Sequence, residues 1–75
     1  MIIIPEMVKE SLDAYAEDHK PVGDFIRAVL MNDLRLAVAH ADETNLRELK
    51  KIVQYCHWEI PGKCWGSPEA YKNWV

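Results

Sequence analysis

DFIRAVLMNDLRLAVAHADETNLRELKKIVQYCHWEI, residues 24–60, runs 37 residues without a glycine or a proline. Ile26, Leu30, Leu34, Ala37, Val38 and Ala41 keep one helical stripe, and Phe25, Val29 and Leu36 form a second beside it. Together they make this part apolar around most of its circumference, the pattern of a central buried helix or of one shared between subunits. Leu46, Leu49, Val53, Cys56 and Ile60 then recur at spacings of 3, 4, 3 and 4, a seam of about two heptads that asks for a helical partner. Asp42-Glu43-Thr44-Asn45 separates the two patterns, and Asp42 and Thr44 can each cap a new helix by accepting a backbone N–H. A break there is favoured, giving helices over about 23–41 and 43–60. The rival is one helix of roughly 37 residues, ~55 Å long, which one small chain cannot cover and which would demand an intertwined oligomer.

Outward from this stretch the breakers cluster: Pro5, Pro21-Val22-Gly23, Pro61-Gly62 and Gly66-Ser67-Pro68. Pro5 suits a first helical position, Glu6 suits the positive end of the dipole, and Val8, Leu12 and Tyr15 share one face, so a helix is expected over about 5–18. Glu17 to Pro21 is polar, ends before a proline and reads as a surface turn. Pro61-Gly62 stops the third helix. Ser67-Pro68-Glu69, a cap followed by proline and an acid, starts a short last helix over 68–75 that carries Tyr71 and Trp74. Met1 to Ile4 is the one candidate strand and has no evident mate. The expected fold class is all-α: a single helical domain, 1–75, in a small bundle of three to four helices.

Composition limits what such a bundle can be. With 49% hydrophobic and 28% charged residues the chain should fold. Nine Lys and Arg against 12 Asp and Glu give a net charge of -3, which argues against nonspecific nucleic-acid binding and against attraction to anionic membranes. A chain of this length buries only about 60% of its unfolded surface, and one core supplies ~3 to 5 kcal/mol, so a staple is needed. Cys56 and Cys64 permit one bridge at most. The initial apolar run is too short for a signal segment and nothing approaches 18 apolar residues, so a cytoplasmic protein with reduced thiols is expected. Association with further copies of itself, a homo-oligomer, is the staple that remains.

The familiar catalytic patterns are weak or missing. Cys56 and His57 are adjacent, but neighbours on a helix point about 100° apart and cannot form a thiol–imidazole dyad. His40, Cys56, His57 and Cys64 lack the spacing of a zinc site, and His19 sits among charges in a turn as a solvated residue. Glu6, Glu10, Asp13 and Glu17 lie opposite the apolar stripe of the first helix, as a solvated face does. No phosphate-cradling or hydrolase motif occurs. No catalytic residue, metal or cofactor is therefore expected, and the protein reads as a non-enzyme.

Three polar features stand out instead. Asn32-Asp33 interrupts the most apolar segment, and Asn32 falls on the stripe of Phe25, Val29 and Leu36, so its amide is expected to be buried, as a kink, a register-setting group or the lining of a polar pocket. Arg27 and Arg35, two turns apart with Asp24 at the start, form either solvated ion pairs or a modest anion site. Trp65, in a loop bounded by Pro61-Gly62 and Gly66, is either a lid on the bundle or a stacking platform.

The order GDFIxAVL (Gly23 to Leu30), Asn32-Asp33-Leu34, Ala41-Asp42-x-x-Asn45, Ile52-Val53-x-Tyr55 and Cys64-Trp65-Gly66-Ser67-Pro68 resembles a family of short uncharacterised bacteriophage and prophage proteins. The resemblance covers about Pro21 to Trp74, with His40 standing where the pattern has a basic residue. It implies an accessory protein that acts on host defences in the host cytoplasm, by sequestering a nucleotide signal or by blocking a protein. The leading expectation is a homo-oligomer that holds a small anionic, nucleotide-type ligand through Arg27, Asn32, Asp33, Asp42, Asn45 and Trp65. Arg27 would meet phosphate, Trp65 would stack a base and the Asn and Asp side chains would read ribose or base edges. The alternative is a protein–protein inhibitor of a host defence effector such as a CRISPR enzyme, acting through acidic faces. An enzyme with Cys64 as nucleophile is a third.

Overall fold

Asn32 is the residue on which the helical order turns. In the computed structural model, which describes residues 2–75, its backbone is left-handed, with φ 60°. Asn32 donates its N–H to Val29 O at 3.0 Å and Asp33 donates to Ala28 O at 2.8 Å, the paired bonds of a Schellman stop. Asp33 then starts the next helix, its Oδ1 accepting from Leu36 N at 3.1 Å. The helix expected over 23–41 is therefore two: α2, Asp24–Leu30, and α3, Leu34–His40. Asn is the non-glycine residue that best tolerates the left-handed region, so one polar dipeptide overrides a continuous apolar pattern.

The remaining described helices are α1 (Glu6–Asp18), α4 (Glu43–Arg47), α5 (Leu49–Glu59) and α6 (Pro68–Trp74), with a single 3-10 turn at Gly62–Cys64. The break at Asp42 is present: its side chain accepts from Asn45 N at 2.7 Å, so Asp42 rather than Thr44 is the cap. A second break at Glu48 divides the expected 43–60 helix. Ser67 caps α6 by accepting from Ala70 N at 3.1 Å, with Pro68 in the first turn. His19, left-handed at φ 55°, closes α1 by donating its N–H to Tyr15 O. Met1 lies outside the described residues; Ile2 to Ile4 form no strand, and Ile4 is buried in the core.

The fold is all-helical among the described residues, with α2 at its centre. Four of its seven residues, Phe25, Ala28, Val29 and Leu30, are buried, and it packs on α1, α3 and α6. Leu12, Tyr15, Leu30, Ile52, Cys56 and Cys64 form the sealed middle of the core. Two expectations change here. In α3 only Ala37 is buried, while Leu34 is 69% exposed and Leu36 and Val38 are also exposed. Along α5 the inward face is Ile52, Tyr55 and Cys56; of the expected seam Cys56 and Ile60 are buried, whereas Leu46 lies on α4 across the break at Glu48 and Val53, about 100° from the inward Ile52, faces outward.

Candidate functional site

The loop that carries Trp65 is fixed at both ends. Cys64 is buried, and its carbonyl accepts the Tyr15 hydroxyl at 2.8 Å. The Cys64 backbone N–H and its Sγ–H both donate to Pro61 O, each at 3.1 Å. Gly66, at φ 106°, turns its N–H onto Leu30 O at 2.7 Å, so the loop is tied to the carboxyl end of α2. A residue with a Cβ is strained in that conformation, which is why glycine occupies it. Trp65 is thereby held, half-buried, beside the α2–α3 turn.

This brings three of the six expected ligand residues together. Asn32, Asp33 and Trp65 rim a small hollow of ≈ 50 Å³ whose other walls include Ala28, Ala37, Leu49 and Val53. Asn32 is exposed, contrary to the expected buried amide, because its left-handed conformation carries the residue off the helical stripe. Arg27 is elsewhere. Its guanidinium donates to Asp24 Oδ1 at 2.9 Å, and it lines a separate hollow of ≈ 290 Å³ with His40, Tyr71 and Lys72. Asp42 and Asn45 line a third, open groove of ≈ 580 Å³ against the start of α1. The six residues thus belong to three concavities within one copy, with Ala28 shared by the first two.

Sequence reading passed over other groups. Asp13 is not simply part of a solvated face: it is half-buried and accepts from the Tyr55 hydroxyl and, at 3.0 Å, from Lys9. Asp13 and Tyr55 line a groove of ≈ 490 Å³ with Glu6, Glu17, Glu59 and the isoleucines 2–4. Tyr55 lies 42 residues away, and no local pattern announces the pair. His19 is also engaged. Its Nδ1 is hydrogen-bonded to Trp74 O and its ring lies 4.3 Å from the indole, tilted by 32°. Trp74 Nε1 donates to Tyr15 O at 2.8 Å, and Tyr71 stacks on Tyr15 at 5.6 Å, so α6 is held on α1 by aromatic contacts. No local pattern joins His40, Tyr71 and Lys72 to Arg27, because the packing of α3 and α6 on α2 brings them together.

The thiols are poor nucleophiles. Cys56 and Cys64 are free and buried. Burial, with the neighbouring Cys64, pushes the Cys56 pKa up to about 12, and burial also raises that of Cys64. His57 is exposed and meets Trp58 edge-on at 4.7 Å. Among the described residues no group of three His, Cys, Asp or Glu is placed to hold a metal ion, and no helix is long and apolar enough to cross a membrane. The described surface carries a small apolar hollow with polar rim groups, a hollow lined by Arg27 and Lys72 and a groove lined mainly by acids. Comparison with protein-family models, curated proteins and solved structures finds no match to this chain.

Proposed function

We propose that the protein is a non-enzymatic accessory protein of phage type that works by binding in a host cytoplasm, sequestering a small anionic, nucleotide-type ligand between copies of itself. The observation that carries this reading is the apolar surface that α3 leaves exposed. Leu34, Leu36 and Val38 are each more than 40% exposed, and α3 lies beside both the Trp65 hollow and the Arg27 hollow. Leu34 rims the first and Leu36, about 160° round the helix, the second, so partner copies seated on the two sides of α3 would roof one hollow each. One copy alone offers a hollow of ≈ 50 Å³ at Trp65, far below the ~300 to 1,000 Å³ of ordinary small-molecule sites. Closure by partner copies would deepen both hollows, with Asn32, Asp33 and Trp65 on the edge of one and Arg27 on the edge of the other.

Native mass spectrometry tests both halves at once. The expected result is a multimer that carries a small anion released on denaturation, together with a melting temperature that rises with added nucleotide as mass action requires. A monomer whose melting is unchanged by mononucleotides and cyclic dinucleotides far above micromolar concentration would reject it.

The second reading, an inhibitor of a host defence protein, is favoured by the groove of Glu6, Glu17 and Glu59, which stays negative although its Lys9 pairs with Asp13 and the net charge is only -3. It predicts a stoichiometric protein partner whose capture weakens with salt and is lost in E17K/E59K.

A further inference from the structure

We infer that the hollow between α2, α3 and α6 is an anion site for a ligand of mononucleotide size: a phosphate head on a planar, weakly polar body. The inference rests on the reading that the protein binds a small anion, and adds where that anion sits and how large its carrier is. Arg27 comes from α2, His40 from the end of α3 and Lys72 from α6, and all three line the same hollow. Its one carboxylate is Asp24. Two permanent cations against one anion make this wall locally positive on a chain whose net charge is -3. The floor and sides are Ala28, Met31, Leu36 and Tyr71, so the hollow joins a charged rim to an apolar bed.

Part of this lining is fixed by the fold. Asp24 bonds one guanidinium nitrogen of Arg27 at 2.9 Å, which orients the fork and leaves its other N–H donors for a second anion. Tyr71 is stacked on the buried Tyr15 with 9° between the rings, so its position is set by the core. Lys72 follows it on α6, which Ser67 caps and Trp74 pins to Tyr15 O. A volume of ≈ 290 Å³ lies just below the ~300 to 1,000 Å³ range of small-molecule sites, a size that suits one base-sugar-phosphate unit rather than two. The acid-lined groove repels the same ligand, and the Trp65 hollow has no cation on its rim.

Isothermal titration of the whole chain with adenosine monophosphate, adenosine and inorganic phosphate tests the assignment, using R27M/K72M and W65A as variants. Methionine keeps most of each apolar stem, and both replaced residues are exposed, so melting temperature and helical signal should match the parent. The expected result is that adenosine binds at least tenfold more weakly than its monophosphate. R27M/K72M should bring the monophosphate down to the level of adenosine, while W65A should change it less than twofold. Monophosphate binding that survives R27M/K72M but is lost in W65A overturns this site and leaves the sequestering reading standing. Equal binding of adenosine and its monophosphate overturns the anion site. If the monophosphate, phosphate and cyclic dinucleotides all fail to bind the parent, both readings fall.

Discussion

Asn32 shows how much a single backbone conformation controls. Its φ of 60° lets Ala28 and Val29 find donors at the end of α2, and any residue less tolerant of that region should weaken the turn. N32V should therefore lower stability by roughly 1–2 kcal/mol, a drop of about 4–16 °C in melting temperature, while N32G should be neutral or mildly stabilising. Calorimetry of both variants checks the contrast. Buried acids with raised pKa values set the alkaline limit. Cys56 ordinarily titrates at 9.0 and is pushed up to about 12, and burial raises Tyr15 and Tyr55 as well, with the Asp13 hydrogen bond adding to the effect at Tyr55. Each holds its proton longer when folded than when unfolded. Their contribution is complete below pH 9 and is lost as pH rises toward 12, so denaturant midpoints should hold through neutral pH and fall above about pH 9. Thiol reagents should react slowly with the native chain and readily after unfolding.

At the scale of elements, the caps were legible because they are local. Ser67 with Ala70 N spans only four residues, as does Asp42 with Asn45 N, although for the latter the sequence leaves Thr44 open as a rival cap. S67A should remove the α6 cap at a cost of about 1 kcal/mol, read from denaturant unfolding. The break at Asn32-Asp33 was visible as polar residues in an apolar run, yet the stripe argument placed Asn32 inside a continuous helix. Nothing in a hydrophobic pattern distinguishes a buried amide from a left-handed stop; the hydrogen bonds of Asn32 and Asp33 to Val29 and Ala28 do. The α4–α5 seam failed similarly at Val53 and Leu46. Leu46 lies across the interruption at Glu48, while within α5 it is Ile52 rather than Val53 that turns inward.

For the whole molecule, what matters is the apolar surface that packing leaves over. α2 consumes its apolar face against α1, α3 and α6, whereas Leu34, Leu36 and Val38 remain exposed on α3. If α3 joins copies, L34E/L36E, which charges both of its sides, should reduce a multimer to monomers in sedimentation while leaving the helical circular dichroism unchanged, since neither side chain belongs to the buried core. The sequence by itself determined the helical class, most stops and starts, and the inward faces of α1 and α2, because periodicity, proline, glycine and caps act over a few residues. Only the tertiary structure decided which candidate residues meet. Trp65 reaches Asn32 through a bond from Gly66 to Leu30, and Lys72 reaches Arg27 because Trp74 and Tyr71 dock α6 on Tyr15. Those contacts span tens of residues, and their partners are selected by the shape of the assembled core rather than by any spacing along the chain.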